Sequence, residues 1–178
     1  MNLKKAALIT AATVLGGLTL ACGAGGTSNS GSGSTGASSS KAAAPKVAKL
    51  GQPARDGKFE FTVKTVKCGV HQVGPADFGQ KAQGQFCLVT VQVKNIGKEA
   101  QMLDASNQKA FGADNAQYSA DEGAALYANE NDKTFLNQIN PGNQVTGIVV
   151  FDIPANAKIT KLELHDSPFS GGVDVQVG

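Results

Sequence analysis

Three cysteines, two histidines and a run of oxygen donors are the residues of this chain that could carry chemistry, and their spacing limits what that chemistry can be. His165, Asp166 and Ser167 are the residue types of a hydrolytic triad. Neighbours on a strand point to opposite faces, so these three cannot form a relay among themselves, and a capping or turn role suits Asp166 and Ser167 better. His71 lies far from His165, and neither belongs to an H-E-x-x-H or paired-cysteine pattern, so no zinc site is expected. Asp114, Asn115, Asp121, Glu122 and Asp132 gather calcium-type donors in one stretch, without EF-hand spacing. Acids at hairpin tips are ordinarily solvated turns, so no metal is expected there either. No phosphate-cradling glycine loop occurs, since the Gly/Ser-rich stretch precedes no helix. The expectation is a chain with no catalytic residues and no cofactor.

Cys22 stands at a seam. Lys4 and Lys5 are the only charges before an uncharged run from Ala6 to Ala21, shorter than the ~20 residues a spanning helix needs. A basic start, an apolar middle and small residues before a cut form the export signature, and such a segment is set aside from fold reasoning. Its exit, Leu18-Thr19-Leu20-Ala21-Cys22, resembles the lipobox of bacterial lipoproteins, with Thr19 where leucine is usual. The resemblance implies cleavage after Ala21 and a diacylglyceryl thioether on Cys22. The alternatives are an ordinary secretory signal with an incidental cysteine, or an uncleaved anchor. Burying each CH₂ is worth ~0.8 kcal/mol and one acyl chain holds only marginally, so two chains on Cys22 would fix the protein to the extracytoplasmic face of the cell membrane.

Charge excludes one class of partner. The 16 basic and 14 acidic residues become 14 and 14 when Lys4 and Lys5 leave with the signal. A near-neutral chain with 6% aromatics, no Trp and no Lys/Arg run has no footprint for nucleic acid.

Residues 1–21 therefore read as a signal peptide and 22–49 as a lipidated cysteine followed by a Gly/Ser/Ala-rich tether. Glycine and serine bury too little surface to offset the entropy of ordering, and a coil of about 26 residues has a root-mean-square reach of only ~28 Å. Residues 50–178 are long enough for one domain with one core. Cys68 and Cys87 are an even pair in an exported domain, which favours a disulfide over two buried free thiols. The bond would staple the end of one strand to the start of the next across a glycine-rich loop and contribute ~3 kcal/mol through chain entropy. No C-x-x-C occurs, so its role is structural.

The elements that must position these residues are strands. "KFEFTVKTVK" places Phe59, Phe61 and Val63 on one side and Lys58, Glu60, Thr62 and Lys64 on the other. "FCLVTVQVKN" alternates through Cys87, Val89, Val91 and Val93, while Phe86 and Leu88 indicate that its other face is partly covered too. "QVTGIVVFDI", "KITKLELH" and "VDVQV" follow, with Gly147 marking a bulge. Asn140-Pro141-Gly142-Asn143 has the pattern of a type II turn, Asn95-Ile96-Gly97-Lys98 closes a strand, Asp114-Asn115 makes a hairpin tip, and Ser170-Gly171-Gly172 precedes the last strand. Residues 121–137 read as irregular with one helical turn. About seven short antiparallel strands with turns between them predict an all-β sandwich.

In order along the chain, "GQPARDGKFEFTVKTV", "CLVTVQVKNIGKEAQML", "FGADNAQYSAD", "INPGNQVTGIVVFDIP" and "KLELHDSPFSGGVDVQV" resemble the telokin-like, immunoglobulin-like domain of Gram-positive lipoproteins, over Gly51 to Val177. The resemblance implies an immunoglobulin-like sandwich on a lipid tether and no catalytic residues. The absence of Trp and the short cysteine spacing depart from antibody domains. Two functions fit: a non-catalytic module that binds another envelope protein, a peptide or wall polymer, and a small-ligand carrier on the outer membrane face. Few aromatics and short strands argue against a roomy cavity.

Overall fold

The computed structural model describes residues 47–129 and 134–178. The signal segment, Cys22, nearly all of the tether and Asp132 lie outside the described residues.

Residue alternation decides which face each strand buries. In β3 (Phe59–Val73), Phe59, Phe61 and Val63 turn inward and Lys64 is exposed; in its partner β4 (Gln80–Asn95), Cys87, Val89, Val91 and Val93 turn inward. With β2 (Pro53–Asp56) and β7 (Gln144–Ile153) they make a four-stranded sheet in the order β2-β3-β4-β7. The second sheet has five strands, in the order β1 (Val47–Lys49), β9 (Val173–Gln176), β8 (Ile159–Leu164), β5 (Lys109–Gly112), β6 (Gln117–Ser119). All pairings between these strands are antiparallel except β1 with β9. The main core lies between the sheets, with Phe61, Val89 and Phe151 from one and Ala110, Leu162 and Val175 from the other. Phe59 and Phe61 meet edge to face at 6.0 Å.

The all-β sandwich is as anticipated, and several details differ. Nine strands are present among the described residues rather than about seven, and two are long, with 15 and 16 residues. The stretch between the cysteines is mostly the far half of the β3–β4 hairpin. Register shifts at Val63/Thr65, Lys67/Val70 and Val70/Gln72 let a glycine-containing strand keep pairing, so only residues 74–79 form the loop. Val47–Lys49, assigned to the tether, pairs with β9 and buries Ala48. Gly147 is not a bulge, because Thr90↔Ile148, Val91↔Gly147 and Gln92↔Thr146 continue the ladder unbroken. Its lack of a side chain has another cause: a Cβ there would sit 2.6 Å from the Phe135 ring.

Residues 121–137 hold more helix than one turn: α1 (Glu122–Ala128) and a 3-10 turn at Thr134–Leu136. The helix lies on the outer face of the four-stranded sheet, where Val73, Phe86, Ala124 and Val150 are buried together and Leu88 and Ile148 pack alongside. That is the second covered face signalled by Phe86 and Leu88. The turns behave as their residues require: Asn143 N–H donates to Asn140 O with Gly142 at φ 79, and Asn115, at φ 61, sits at the β5–β6 hairpin tip.

Candidate functional site

A helix of seven residues is too short to stand alone in water, so α1 depends on what pins its ends. At the start, Asp121 Oδ1 accepts the Ala124 N–H (2.9 Å) and its Oδ2 accepts from Gln80 Nε2 (2.8 Å), which joins the cap to β4. At the end, the Asn129 side chain donates to Ala125 O (2.7 Å) and Ile148 O (2.8 Å) and accepts the Ile148 N–H (2.8 Å). A side-chain amide thus completes the helix and binds it to β7 at once.

Opposite α1 runs the segment Met102–Ala105. Leu103 is buried in the main core, and Gln101 pairs with Ile139 as an isolated bridge. Buried Gln108 donates to Asp104 O (2.9 Å) and His165 O (3.0 Å) and accepts the His165 N–H (2.8 Å), so this wall is tied to the end of β8. Between the walls lies a cleft of about 840 Å³, lined by Met102, Leu103, Ala125, Leu126, Phe135 and Leu136, with Asp104, Glu122 and Asn129 as its main polar groups. Met102 is 59% exposed and Leu126 and Leu136 are each 58% exposed, an arrangement that leaves apolar surface facing water from both walls. The expectation against a roomy cavity is corrected here. The space opens on the flank, outside the sheet sandwich, where strand length and aromatic content do not limit it.

The residues singled out for chemistry are not brought together. His71 is exposed on β3. Asp114 Oδ1 accepts the Ala116 N–H within its turn, Asp121 caps α1, and Glu122 lines the cleft. Among the described residues no group of three or more His, Cys, Asp or Glu is placed to hold a metal. Asp166 accepts the Lys58 N–H (2.9 Å) and gives its own N–H to Asp56 (2.8 Å), which joins the β8–β9 loop to the β2–β3 turn. Cys68 and Cys87 are bonded, at mid-strand rather than at strand ends, where the shift between Lys67 and Val70 sets Cys68 and Gly69 against buried Cys87.

Sequence reasoning missed the partners His165 does have. Its Nε2 lies 2.7 Å from Glu163 Oε1 and its Nδ1 3.2 Å from Ser170 Oγ. Residues two apart on a strand share a face, and the Glu163/His165 parity was the available signal. The order carboxylate, imidazole, hydroxyl does not activate the serine. Ser170 Oγ donates to Ser167 O (3.0 Å), His165 is 6% exposed, and Gly172 packs so closely that a Cβ would meet His165 Cε1 at 2.6 Å. The array braces the β8–β9 loop.

Burial pushes the Glu163 carboxyl up, but hydrogen bonds from His165 and Lys109, with their charges, outweigh it and hold the carboxyl below its ordinary value. A carboxyl lowered by folding contributes stability that is present above its unfolded pKa and lost as pH falls through its folded one. Glu163→Gln is therefore expected to destabilise the domain by about 1–3 kcal/mol near neutrality, with the deficit shrinking in acid below the carboxylate range. Urea unfolding of both chains at the two pH values measures this, and a deficit that stays constant contradicts it.

Two packed sheets flanked by a helix and an open apolar cleft define the class: a β-sandwich domain with a lateral groove. The chain belongs to the DUF4352 family, a domain of unknown function, whose model matches residues 48–175. MPT63, a secreted protein from Mycobacterium tuberculosis, is similar over 76% of this chain and 96% of its own, with 19% identity and a TM-score of 0.52. The yjhA protein from Bacillus subtilis is similar over 74% of this chain and 99% of its own, with 16% identity and a TM-score of 0.53. At these identities the likeness is one of fold. No curated protein matches the chain. Among the described residues no helix is long and apolar enough to cross a membrane.

Proposed function

We propose that this protein is an extracytoplasmic lipoprotein, anchored through Cys22, whose telokin-like sandwich is a non-catalytic binding module that holds an apolar segment of an envelope protein or peptide in the cleft. The observation that carries this reading is the exposure of Met102, Leu126 and Leu136 on facing walls braced by Asn129 and Gln108. Rigid walls with solvated apolar side chains suit a partner that supplies apolar side chains of its own. A wall polymer rich in hydroxyls would gain little there. The Cys68–Cys87 bond suits an oxidising compartment, and the fold is shared with a secreted protein. A second reading, the carrier of a small apolar molecule, draws support from a volume of about 840 Å³, within the usual range of ligand pockets.

The test is a photo-crosslinking residue placed at Leu126 of the full chain in its host, with Lys64, exposed on β3, as control position. A discrete protein adduct at 126, absent at 64 and lost on Leu136→Asp, is the expected result. A co-purifying small molecule seen by native mass spectrometry and lost on Leu136→Asp, without a protein adduct, assigns the cleft to the carrier role. Equal adducts at 126 and 64 overturn both.

A further inference from the structure

The β8–β9 loop presents an aromatic ring to water from a hydrogen-bonded turn. Phe169 is 96% exposed at the tip of the turn Ser167-Pro168-Phe169-Ser170, closed by the Ser170 N–H to Ser167 O (3.2 Å). Ser170 Oγ is held by Ser167 O and by His165, which is held in turn by Glu163, and Asp166 locks the loop to the β2–β3 turn.

Topology says what faces it. Val47 pairs with Asp174 at the start of β9, and Val173 pairs with Leu164 at the end of β8, so the chain enters the domain beside this loop. Ile96 reaches the same end, its N–H donating to Lys58 O (2.8 Å). Val47 (49% exposed) and Ile96 (39%) therefore join Phe169 as apolar surface there, with the exposed side chains of Lys58, Lys98 and Glu99 nearby. Phe78, 80% exposed, lies at the opposite end, past the 15-residue β3, which at ~3.3 Å per residue spans roughly 50 Å. Only 24 residues separate Cys22 from Val47, so an anchor at Cys22 tethers the domain by this end.

We propose that the Phe169 end is the membrane-facing tip of the domain, with the Phe169 ring seated at the headgroup–acyl boundary of the bilayer that holds Cys22. The proposal rests on the lipid-anchor reading above. An aromatic ring belongs at that depth, where one environment is apolar and the other wet. Docking by this end fixes the domain upright and turns the cleft sideways, toward partners at a set height above the lipid.

The chain contains no tryptophan, so Phe169→Trp and Phe78→Trp each create a single reporter at a solvent-exposed position. The acylated full-length variants are floated with phosphatidylcholine–phosphatidylglycerol vesicles, with and without brominated acyl chains, beside Cys22→Ser. Expected are flotation that Cys22→Ser abolishes, a blue shift and bromolipid quenching for Phe169→Trp, and emission from Phe78→Trp that only aqueous acrylamide quenches. Flotation with no bromolipid quenching at 169, or with equal quenching at both positions, overturns the docked end and leaves the anchor standing. Acylatable chains that fail to float overturn the anchor and the docked end together.

Discussion

Phe86→Ala is expected to lower the free energy of unfolding by about 3–5 kcal/mol and, in chains that remain folded, to dismantle the cleft. Phe86 is fully buried, but it is not part of the core between the sheets. It lies on the outer face of β4 with Val73, Ala124 and Val150, under α1. Removing the ring leaves the helix on a floor with a hole in it. The Asn129 and Asp121 hydrogen bonds then have to hold seven residues with little apolar contact beneath them. The sandwich core of Phe61, Val89, Phe151 and Leu162 is untouched. Two readouts should therefore separate: the strand signature in circular dichroism persists under native conditions, while crosslinking from Leu126 falls steeply. Undiminished crosslinking in the folded variant would show that the cleft wall does not depend on this packing.

The sandwich was legible because alternation has one physical meaning. Phe59, Phe61 and Val63 against Glu60, Thr62 and Lys64 can bury only one face. Turn chemistry was equally local, and Gly142 and Asn115 adopt the positive φ their residue types favour. What escaped depended on contacts distant in sequence. Gly147 had the look of a bulge, yet its cause is the Phe135 ring laid across β7, a contact no window around residue 147 contains. Gly69 and the residues after it looked like a loop because glycine weakens strands, but ladder bonds to β4 override that preference. Val47–Lys49 is too short to show alternation, and becomes a strand only because the β9 edge is free to take it. For the cleft, Asp121 followed by Glu-Gly-Ala-Ala-Leu-Tyr-Ala carried a helix signal, but nothing in the sequence announced that Met102 would face it across a gap.

The Cys68–Cys87 bond makes the opposite prediction to Phe86, one residue away. Cys87 points into the main core and Phe86 points out, so the two neighbours act on different layers. Cys68→Ala combined with Cys87→Ala is expected to cost about 3 kcal/mol, since the bond closes a loop with a sequence separation of 19 and acts chiefly by restricting the unfolded chain. The melting temperature should fall by on the order of 10 °C. The denaturant m-value should rise, because an uncrosslinked chain exposes more surface on unfolding. In the native state β3 and β4 remain paired on both sides of the lost bond, from Phe59↔Asn95 to Val73↔Gln80, so α1 keeps its floor. Crosslinking from Leu126 should therefore be unchanged at temperatures where the variant is folded. Chemical reduction of the unmutated chain should reproduce the stability loss without removing either sulfur from its place. A weaker cleft adduct in the double variant would mean that the bond orders the far half of the hairpin in the folded molecule. An unchanged m-value with a large loss of stability would locate its effect in native packing around Cys87.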